Sequence, residues 1–204
     1  MSDVTAPIIY LIDDDEAILK ALRRLLETYG HHVDPYSSAE SFLENHDPEA
    51  HGCAVVDLGL PGMDGLAVQE LLVAESVERP IIFLTGKGDI PASVRAMKAG
   101  AVDFLTKPVN AECLLAAVDA ALKRDANMRQ EASVRHKIEQ RMASLTARER
   151  EVLGCVVAGR LNKQIAAELG TVEKTIKVHR GRMMEKMGVR TVADLVRLSV
   201  ATHH

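Results

Sequence analysis

The sequence predicts an α/β domain with a doubly wound, five-stranded parallel sheet, followed by a long helical linker and an all-α helix-turn-helix domain. Two observations predict this organisation. In the first half of the chain, short apolar runs alternate five times with helical patterns. From residue 110 to residue 145 a helical pattern continues without Gly or Pro, and several short helical patterns follow. We expect a first domain over 1–123, a linker over 124–143 and a second domain over 144–204.

Four short, largely apolar runs and one weaker pattern at 33–36 are the predicted strands, because strands that are buried on both faces of a sheet read as near-continuous hydrophobic segments. They lie at 8–12, 33–36, 54–56, 80–84 and 102–105. Between them apolar residues recur at helical spacing, and Gly30 and Gly100 end two of these helices. Ser37 or Ser38 can cap the second helix, and Pro91 suits the first turn of the fourth.

Helix caps and glycine stops predict the second domain. Thr146 and Glu149 form a capping box at the start of one helix, and Asn162 can cap the next. A basic helix follows over about 172–187, and Thr191 opens a fourth. Short helices with a tight glycine turn before a basic helix are typical of a helix-turn-helix unit.

Polar side chains fall at the carboxyl ends of four predicted strands, where doubly wound sheets bind their ligands. They are Asp13 and Asp14 after the first strand, Asp57 after the third, Thr85 at the end of the fourth and Lys107 after the fifth. Clustered carboxylates repel each other unless a cation lies among them, and Mg²⁺ prefers oxygen ligands. We expect Mg²⁺ here, with Asp14, Asp57 and the Gly59 carbonyl as direct ligands and Asp13 acting mainly through water.

The same arrangement suits phosphoryl transfer to a carboxylate. Asp57 can attack a phosphoryl donor, while the metal and Lys107 neutralise the transferring group and Thr85 donates a hydrogen bond to it. Phosphorylation adds about −1.5 to −2 charge at a fixed point, so the domain can act as a switch. A simpler interpretation also stands: Asp13 and Asp14 cap the next helix, and Lys107 is a solvated lysine before a proline.

Composition narrows the class of protein. No apolar run reaches the roughly 18 residues of a membrane span, and no secretory signal pattern opens the chain. The three dispersed cysteines are expected to be reduced, which favours a cytoplasmic location. Residues 1–142 carry 14 Lys and Arg against 23 Asp and Glu, a net charge of −9. Residues 143–204 carry 11 against 6, a net charge of +5, so nucleic acid is the expected partner of the second domain alone.

Several motifs carry a resemblance to a known family. In the first domain they are Leu11-Ile12-Asp13-Asp14-Asp15, Asp57 with Pro61 and Gly65, Thr85-Gly86, Ala96 to Ala101, and Lys107-Pro108. In the second they are Leu145 to Leu153, Asn162 to Ala166, and Thr175 to His179. The first domain resembles the flavodoxin-like receiver domain of bacterial two-component response regulators, and the second resembles a LuxR-type DNA-binding domain. Together they resemble the NarL/FixJ family, in particular its FixJ branch, which includes regulators of aromatic-hydrocarbon catabolism.

The resemblance implies that Asp57 is the phosphoacceptor, that Asp13, Asp14 and Asp57 hold Mg²⁺, and that Thr85 and Phe104 form a switch pair. It implies a sensor histidine kinase as phosphoryl donor and a homodimer that forms on phosphorylation. It also implies a transcription factor, most often an activator, that binds double-stranded promoter DNA, works with RNA polymerase and has no membrane partner. Such a protein is no enzyme beyond its own phosphotransfer and dephosphorylation.

The resemblance also implies which residues contact DNA. They are Asn162, Lys163, Lys174, Thr175, Lys177, Val178, His179, Arg180 and Arg182. His179 is expected to pack or to contact phosphate rather than to read a base. Val172 stands where a Ser or Thr usually caps the recognition helix. Gly181 stands where some members place a base-contacting side chain, so the operator rules of those members do not transfer.

Two other classes of protein are alternatives. Asp13 and Asp15 have the Asp-x-Asp spacing of haloacid dehalogenase-type phosphoaspartate hydrolases, although Ala17 departs from that family's pattern. An RNA-binding antiterminator is the second alternative. A small-ligand sensor is disfavoured, since the chain has no Trp and only 3 Tyr and 3 Phe. The second half of the long helix can be a weak coiled coil or a solvated linker.

Overall fold

The structure, a computed structural model, describes residues 6–86 and 90–201. The chain forms two compact units, Met1–Arg129 and Gln130–His204. Within the part of the chain that the structure describes, no helix combines the length and the apolar character needed to cross a bilayer.

The first unit contains a five-stranded sheet in the order β2-β1-β3-β4-β5, and every neighbouring pair is parallel. The strands are β1 (Ile8–Ile12), β2 (His32–Tyr36), β3 (Gly52–Asp57), β4 (Ile81–Thr85) and β5 (Asp103–Thr106). The helices are α1 (Glu16–Thr28), α2 (Ala39–Asn45), α3 (Gly65–Ala74), α4 (Ile90–Lys98) and α5 (Ala111–Ala143). The predicted doubly wound fold is confirmed, and β3 is longer than expected because Gly52, Cys53 and Asp57 also pair.

Each face of the sheet is covered by its own hydrophobic core. One core joins the sheet to α1 and α5 and includes Ile9, Leu22 and Leu114. The other joins the opposite face to α2, α3 and α4, with Phe42 and Val68 among its buried side chains. The alternation of side chains along each strand therefore divides its residues between two cores, which explains why the inner strands β1, β3 and β4 read as nearly unbroken apolar runs.

In the part of the chain that the structure describes, the second unit contains four short helices after α5. They are α6 (Ala147–Val157), α7 (Asn162–Glu168), α8 (Glu173–Met187) and α9 (Val192–Ala201). Their apolar sides meet in one core that includes Val152, Ile165, Ile176, Met183 and Leu195. The four helices appear where the caps and glycine stops predict them.

The predicted caps in this unit are confirmed at α6 and wrong at α7. Thr146 and Glu149 form the predicted capping box. The predicted cap Asn162 is instead the first residue of α7, with Leu161 at the N-cap position. Because Asn162 is itself a helical residue, its side chain is not placed to cap α7, and its Oδ1 accepts a hydrogen bond from the Arg180 guanidinium of α8. Val172 precedes α8 without a side-chain cap, as the sequence suggests.

Candidate functional site

Asp13 and Asp57 lie side by side at the carboxyl edge of the sheet. Asp57 is the last residue of β3, and Asp13 directly follows β1. These strands are parallel neighbours with Ile12 opposite Val56, so the next residue of each strand reaches the same place. Asp13 is fully buried and Asp57 is 6% exposed. The topology therefore brings together two acids that are 44 residues apart in sequence.

Lys107 joins the two carboxylates. Its Nζ lies 2.6 Å from Asp13 Oδ2 and 3.2 Å from Asp57 Oδ1. Its backbone N–H donates a 2.6 Å hydrogen bond to the carbonyl oxygen of Thr85, which fixes the chain after β5 against the end of β4. The Lys107–Pro108 peptide bond is cis. The interpretation of Lys107 as a solvated lysine is wrong, because its side chain is only 16% exposed.

Burial and pairing oppose each other at this edge. Burial raises the pKa of Asp13 above its ordinary value, and the hydrogen bonds from Lys107 and from the Asp15 N–H lower it only in part. Burial lowers the pKa of Lys107. Its hydrogen bond to Asp13 and its closeness to Asp57 raise the pKa by a larger amount in sum, so the net shift is upward. Lys107 therefore stays charged and supplies the cation that the two carboxylates need.

Three carboxylates are arranged as a possible metal site. Asp13, Asp14 and Asp57 can each place one oxygen so that all three lie within 4.8 Å of one another. Asp14 is exposed whereas the other two are buried, so one side of the cluster faces water. This donor set suits a hard cation that keeps part of its hydration shell. Asp57 Oδ2 would lie 3.6 Å from a Cβ built on Gly59, which places the Gly59 main chain next to the cluster.

The third acid of the Asp13-Asp14-Asp15 run has a different role. Asp15 Oδ1 accepts hydrogen bonds of 2.8 Å and 3.3 Å from the N–H groups of Ala17 and Ile18. Asp15 therefore caps α1. The interpretation of Asp13 and Asp14 as the helix cap is wrong, because the neighbouring acid occupies that position.

The predicted switch residues lie on adjacent strands. Thr85 ends β4 and is 6% exposed. Phe104 lies on β5 and pairs with Phe83 of β4, which precedes Thr85 by two residues. Phe104 also packs against the core that contains Phe83. Because residues two apart in a strand share a face, Thr85 and Phe104 belong to the same face of the sheet. They are diagonal neighbours on adjacent strands, and their role as a switch pair stays a prediction.

Gly65 permits the close packing behind Asp57, a role that the motif alone did not explain. A Cβ on Gly65 would lie 2.6 Å from the carbonyl oxygen of Asp57 and 3.2 Å from Leu58 Cα. Asp64 caps α3 at this point by accepting a 2.8 Å hydrogen bond from the Ala67 N–H. The start of α3 is thus pressed against the strand end that carries Asp57, which restrains the position of its carboxylate.

The predicted DNA-contacting residues divide into an exposed group and a half-buried group. Lys163, Lys174, Lys177, Val178 and Arg182 are exposed. Asn162, Thr175, His179 and Arg180 are half-buried. The Arg180 guanidinium donates a 2.8 Å hydrogen bond to Asn162 Oδ1, which ties α7 to α8. These two residues therefore hold the helix pair together, a role that sequence spacing did not indicate.

The exposed face of α8 carries three cations, Lys174, Lys177 and Arg182. Within the described part of the chain, four other cations of the second unit, one of them on α8, are paired with carboxylates. These pairs are Arg148–Glu151, Arg160–Glu168, Lys186–Glu149 and Arg197–Asp194. Among the described residues, no ion pair involves Lys174, Lys177 or Arg182, so their charges face solvent. A helix with this face can bind the phosphates of a duplex.

Comparisons with known proteins identify both domains. The family model of the response regulator receiver domain matches residues 9–119, and the model of bacterial regulatory proteins of the luxR family matches residues 143–199. The chain is 46% identical to the response regulator protein TodT of Pseudomonas putida over 199 residues, which cover 98% of this chain and 87% of TodT. It is 42% identical to nodulation protein W of Bradyrhizobium diazoefficiens over 195 residues, 96% of this chain and 86% of that protein.

Two solved structures extend the likeness to the fold of the whole chain. The response regulator StyR has a TM-score of 0.87 at 45% identity, with 96% of this chain and 99% of that chain covered. Full-length FixJ from B. japonicum has a TM-score of 0.60 at 38% identity, with 97% of each chain covered. The chain therefore belongs to the response regulators that combine a receiver domain with a LuxR-type DNA-binding domain, the organisation of a transcription regulator. Within that class its similarity is to FixJ, TodT and nodulation protein W, and the comparisons support neither the hydrolase nor the RNA-binding alternative.

Proposed function

We propose that this response regulator is switched by phosphorylation of Asp57 and that the phosphorylated form binds promoter DNA. The observation that carries the proposal is the cluster at the sheet edge, in which Lys107 Nζ contacts both Asp13 and Asp57. Asp14 completes the set of three carboxylates that can hold Mg²⁺. The sensor histidine kinase is the phosphoryl donor in this proposal.

Each residue of the cluster has a defined part in the transfer. A carboxylate oxygen of Asp57 attacks the phosphorus atom, the new O–P bond forms, and the P–N bond to the donor imidazole breaks. Lys107 stabilises the negative charge on the transferring group, and the Thr85 hydroxyl donates a hydrogen bond to it. Bound Mg²⁺ supplies positive charge to the phosphoryl oxygens and relieves the repulsion among the carboxylates. Asp13, Asp14, Asp57 and the Gly59 carbonyl are its proposed ligands, with Asp13 acting mainly through water.

The output steps are also part of the proposal. The phosphorylated receiver dimerises through α4, β5 and α5, with Thr85 and Phe104 as the switch pair, and it later loses the phosphoryl group by its own hydrolysis. The dimer binds promoter DNA through α8 and activates transcription with RNA polymerase in the cytoplasm. Residues 124–143 act as the linker between a receiver domain over 1–123 and a DNA-binding domain over 144–204. The exposed cations of α8, which have no ion pair among the described residues, support the assignment of α8 as the helix that binds DNA.

Incubation with acetyl phosphate and Mg²⁺, followed by intact-protein mass spectrometry, tests the phosphoacceptor. The wild-type protein is expected to gain one phosphoryl group, and Asp57→Asn is expected to gain none. Asp119→Asn, which changes an exposed acid on α5, is the matched control and should behave as the wild type. A phosphorylated Asp57→Asn protein would contradict the assignment and would favour a nucleophile elsewhere, as in the hydrolase alternative.

Sizing with light scattering, with and without beryllofluoride and Mg²⁺, tests the switch. Beryllofluoride on a carboxylate imitates the phosphorylated state, so the molecular mass of the protein is expected to double and its affinity for duplex DNA to rise. Asp57→Asn should show neither change. If neither mass nor DNA affinity responds in the wild type, the switching mechanism is wrong while the fold stands.

A further inference from the structure

Gly181 is an unexpected residue for the interior of α8. Glycine is the least favourable residue in a helix interior after proline, because it loses the most backbone freedom on folding. Helix α8 spans Glu173–Met187, so Gly181 is well inside both ends. The φ angle of Gly181 is not positive, so its backbone conformation suits any residue. Apart from the backbone of α8 itself, no heavy atom of the described part of the chain lies within 4 Å of a Cβ built at this position. Neither conformation nor internal packing therefore requires a glycine here.

Gly181 lies on the exposed face of α8, so a reason for a glycine at this position must come from outside the folded chain. Residues three, four and seven apart share a helix face, so Lys174, Lys177 and Val178 lie on the same side as Gly181. All three are exposed, whereas Met183 on the opposite side is fully buried. Gly181 therefore lies near the centre of the exposed face, among the residues proposed to meet DNA.

The charges on this face limit the contact region. Lys174, Lys177 and Arg182 are exposed and unpaired among the described residues, while the exposed Glu185 lies one turn beyond Gly181. Phosphates repel a carboxylate, so the contact region is expected to end between Gly181 and Glu185. This matches a recognition helix that enters the major groove with its N-terminal part.

We propose that the backbone of α8 approaches duplex DNA at Gly181 more closely than any side chain would allow, which makes Gly181 a specificity-determining residue. The inference rests on the proposed binding of DNA by α8. Without a Cβ, the helix can lie deeper in the groove, and the neighbouring Lys177 and Val178 come within reach of base edges. A methyl group at position 181 would hold the helix away from the bases while leaving the flexible phosphate-binding cations in contact.

Helix α6 offers a matched control for this proposal. Gly154 lies inside α6, is exposed, has no positive φ and would place a Cβ with no neighbour within 4 Å. Substitution by alanine should therefore raise the midpoint of urea unfolding by a similar amount at either glycine. Only the substitution at Gly181 should affect DNA binding.

The experiment uses the full chain with beryllofluoride and Mg²⁺. The probes are a duplex that the wild-type protein enriches from a random-sequence pool and an unrelated duplex of equal length. Gly181→Ala is expected to lose about ten-fold or more in affinity for the enriched duplex, the usual effect of losing a good base contact, and to bind the unrelated duplex within about two-fold of wild type. Gly181→Leu should lose more, and Gly154→Ala should match the wild type on both duplexes.

The outcomes separate this inference from the proposed function. Wild-type affinity of Gly181→Ala for the enriched duplex, or an equal loss on both duplexes, contradicts the role of Gly181 while the DNA-binding function stands. If the wild-type protein enriches no duplex from the pool, the proposed function is wrong and this inference falls with it.

Discussion

The Lys107 ammonium acts on its surroundings in two opposite ways. It contacts Asp13 and Asp57 at 2.6 Å and 3.2 Å, so it stabilises their negative charges. The same positive charge repels a cation bound to these carboxylates. Two unit charges 4 Å apart interact by about 4 kcal/mol at an effective dielectric constant of 20, so neither effect is negligible. The balance of the two effects leads to a prediction in which binding and reaction change in opposite directions.

Lys107→Met is expected to bind Mg²⁺ more tightly and to be phosphorylated more slowly. Removing the ammonium leaves two close carboxylates without a cation, so the affinity for Mg²⁺ should rise about ten-fold, which corresponds to about 1.4 kcal/mol. Loss of the charge that stabilises the transferring group should slow phosphorylation by acetyl phosphate about 100-fold or more. Isothermal titration calorimetry measures the first change and mass spectrometry the second.

Lys123→Met is the control for this prediction, because Lys123 is an exposed lysine of α5. It should leave both quantities unchanged. Weaker Mg²⁺ binding by Lys107→Met than by wild type would mean that Lys107 supports the metal site rather than competing with its ion.

At the scale of elements, one buried acid connects two helices of the second unit. Glu149 Oε2 accepts a 2.6 Å hydrogen bond from Lys186 Nζ of α8 and a 2.9 Å hydrogen bond from the Thr146 N–H. Glu149 is only 3% exposed. The hydrogen bond from Lys186 makes the largest contribution to lowering the pKa of Glu149, and the hydrogen bond from the Thr146 N–H makes the second largest. The resulting pKa is about 2. The start of α6 is thereby joined to the last turn of α8.

The pH dependence of stability should reveal this contact. A carboxyl group whose pKa is lowered by folding stabilises the folded state above its ordinary pKa, and this contribution is lost as the pH falls towards the lowered value. Glu149→Gln should therefore be less stable than the wild type at pH 7, and the difference in free energy of unfolding should shrink between about pH 5 and pH 2. Urea unfolding followed by circular dichroism at several pH values measures this difference.

Glu151→Gln provides the comparison, since Glu151 pairs with Arg148 on the same helix and half of its side chain is exposed. Exposed pairs contribute little to stability, so this variant should remain close to wild type throughout. A difference between wild type and Glu149→Gln that stays constant with pH would show that ionisation of Glu149 does not stabilise the fold.

At the scale of the whole molecule, charge is distributed unevenly along the chain. Residues 143–204 carry 11 Lys and Arg against 6 Asp and Glu, while the rest of the chain has an excess of acids. Among the described residues of α8, Lys174, Lys177 and Arg182 have no ion pair, so they are available to phosphates. If α8 binds DNA as proposed, we expect the acidic receiver to limit non-specific attraction of the whole chain to DNA and these cations to contribute to the affinity.

The salt dependence of DNA binding should report these cations. These three cations of α8, counted in each chain of a dimer, are expected to contribute about −5 to the slope of the logarithm of the binding constant against the logarithm of salt concentration. Lys177→Ala should make the slope less steep by about 2, because each dimer loses two phosphate contacts. Fluorescence anisotropy with labelled duplex at several salt concentrations measures the slope. Lys123→Ala is the control, and an unchanged slope for Lys177→Ala would remove this lysine from the phosphate contacts.

Much of the receiver site could be predicted because the order of strands and helices along the chain decides where the site residues lie. Parallel strands with connecting helices bring their carboxyl ends to one edge, so strand-end residues such as Asp13, Asp57 and Lys107 meet wherever this topology forms. Helix starts were equally readable at Thr146, since a capping box involves only residues three apart. Features that depend on local spacing or on strand order were therefore accessible from the sequence.

Other features depend on pairs of residues that are distant in sequence, and spacing does not reveal them. Asn162, the expected cap of α7, instead accepts a hydrogen bond from Arg180 and so connects α7 to α8. Arg129 of α5 donates hydrogen bonds of 3.0 Å and 2.5 Å to the carbonyl oxygens of Glu49 and Ala50, about 80 positions away. A polar side chain has many possible partners in the sequence, and only the packed backbone selects one.

The sequence by itself determined the two fold classes, the edge of the sheet where the acids meet, and the helix that carries the basic face, because hydrophobic periodicity and strand order suffice for these. The tertiary structure decided that Asp15 rather than Asp13 or Asp14 caps α1, and that Lys107 spans two carboxylates. It also showed that no internal contact among the described residues requires Gly181. These facts depend on distances of a few ångströms between side chains, which exist only once the backbone is packed.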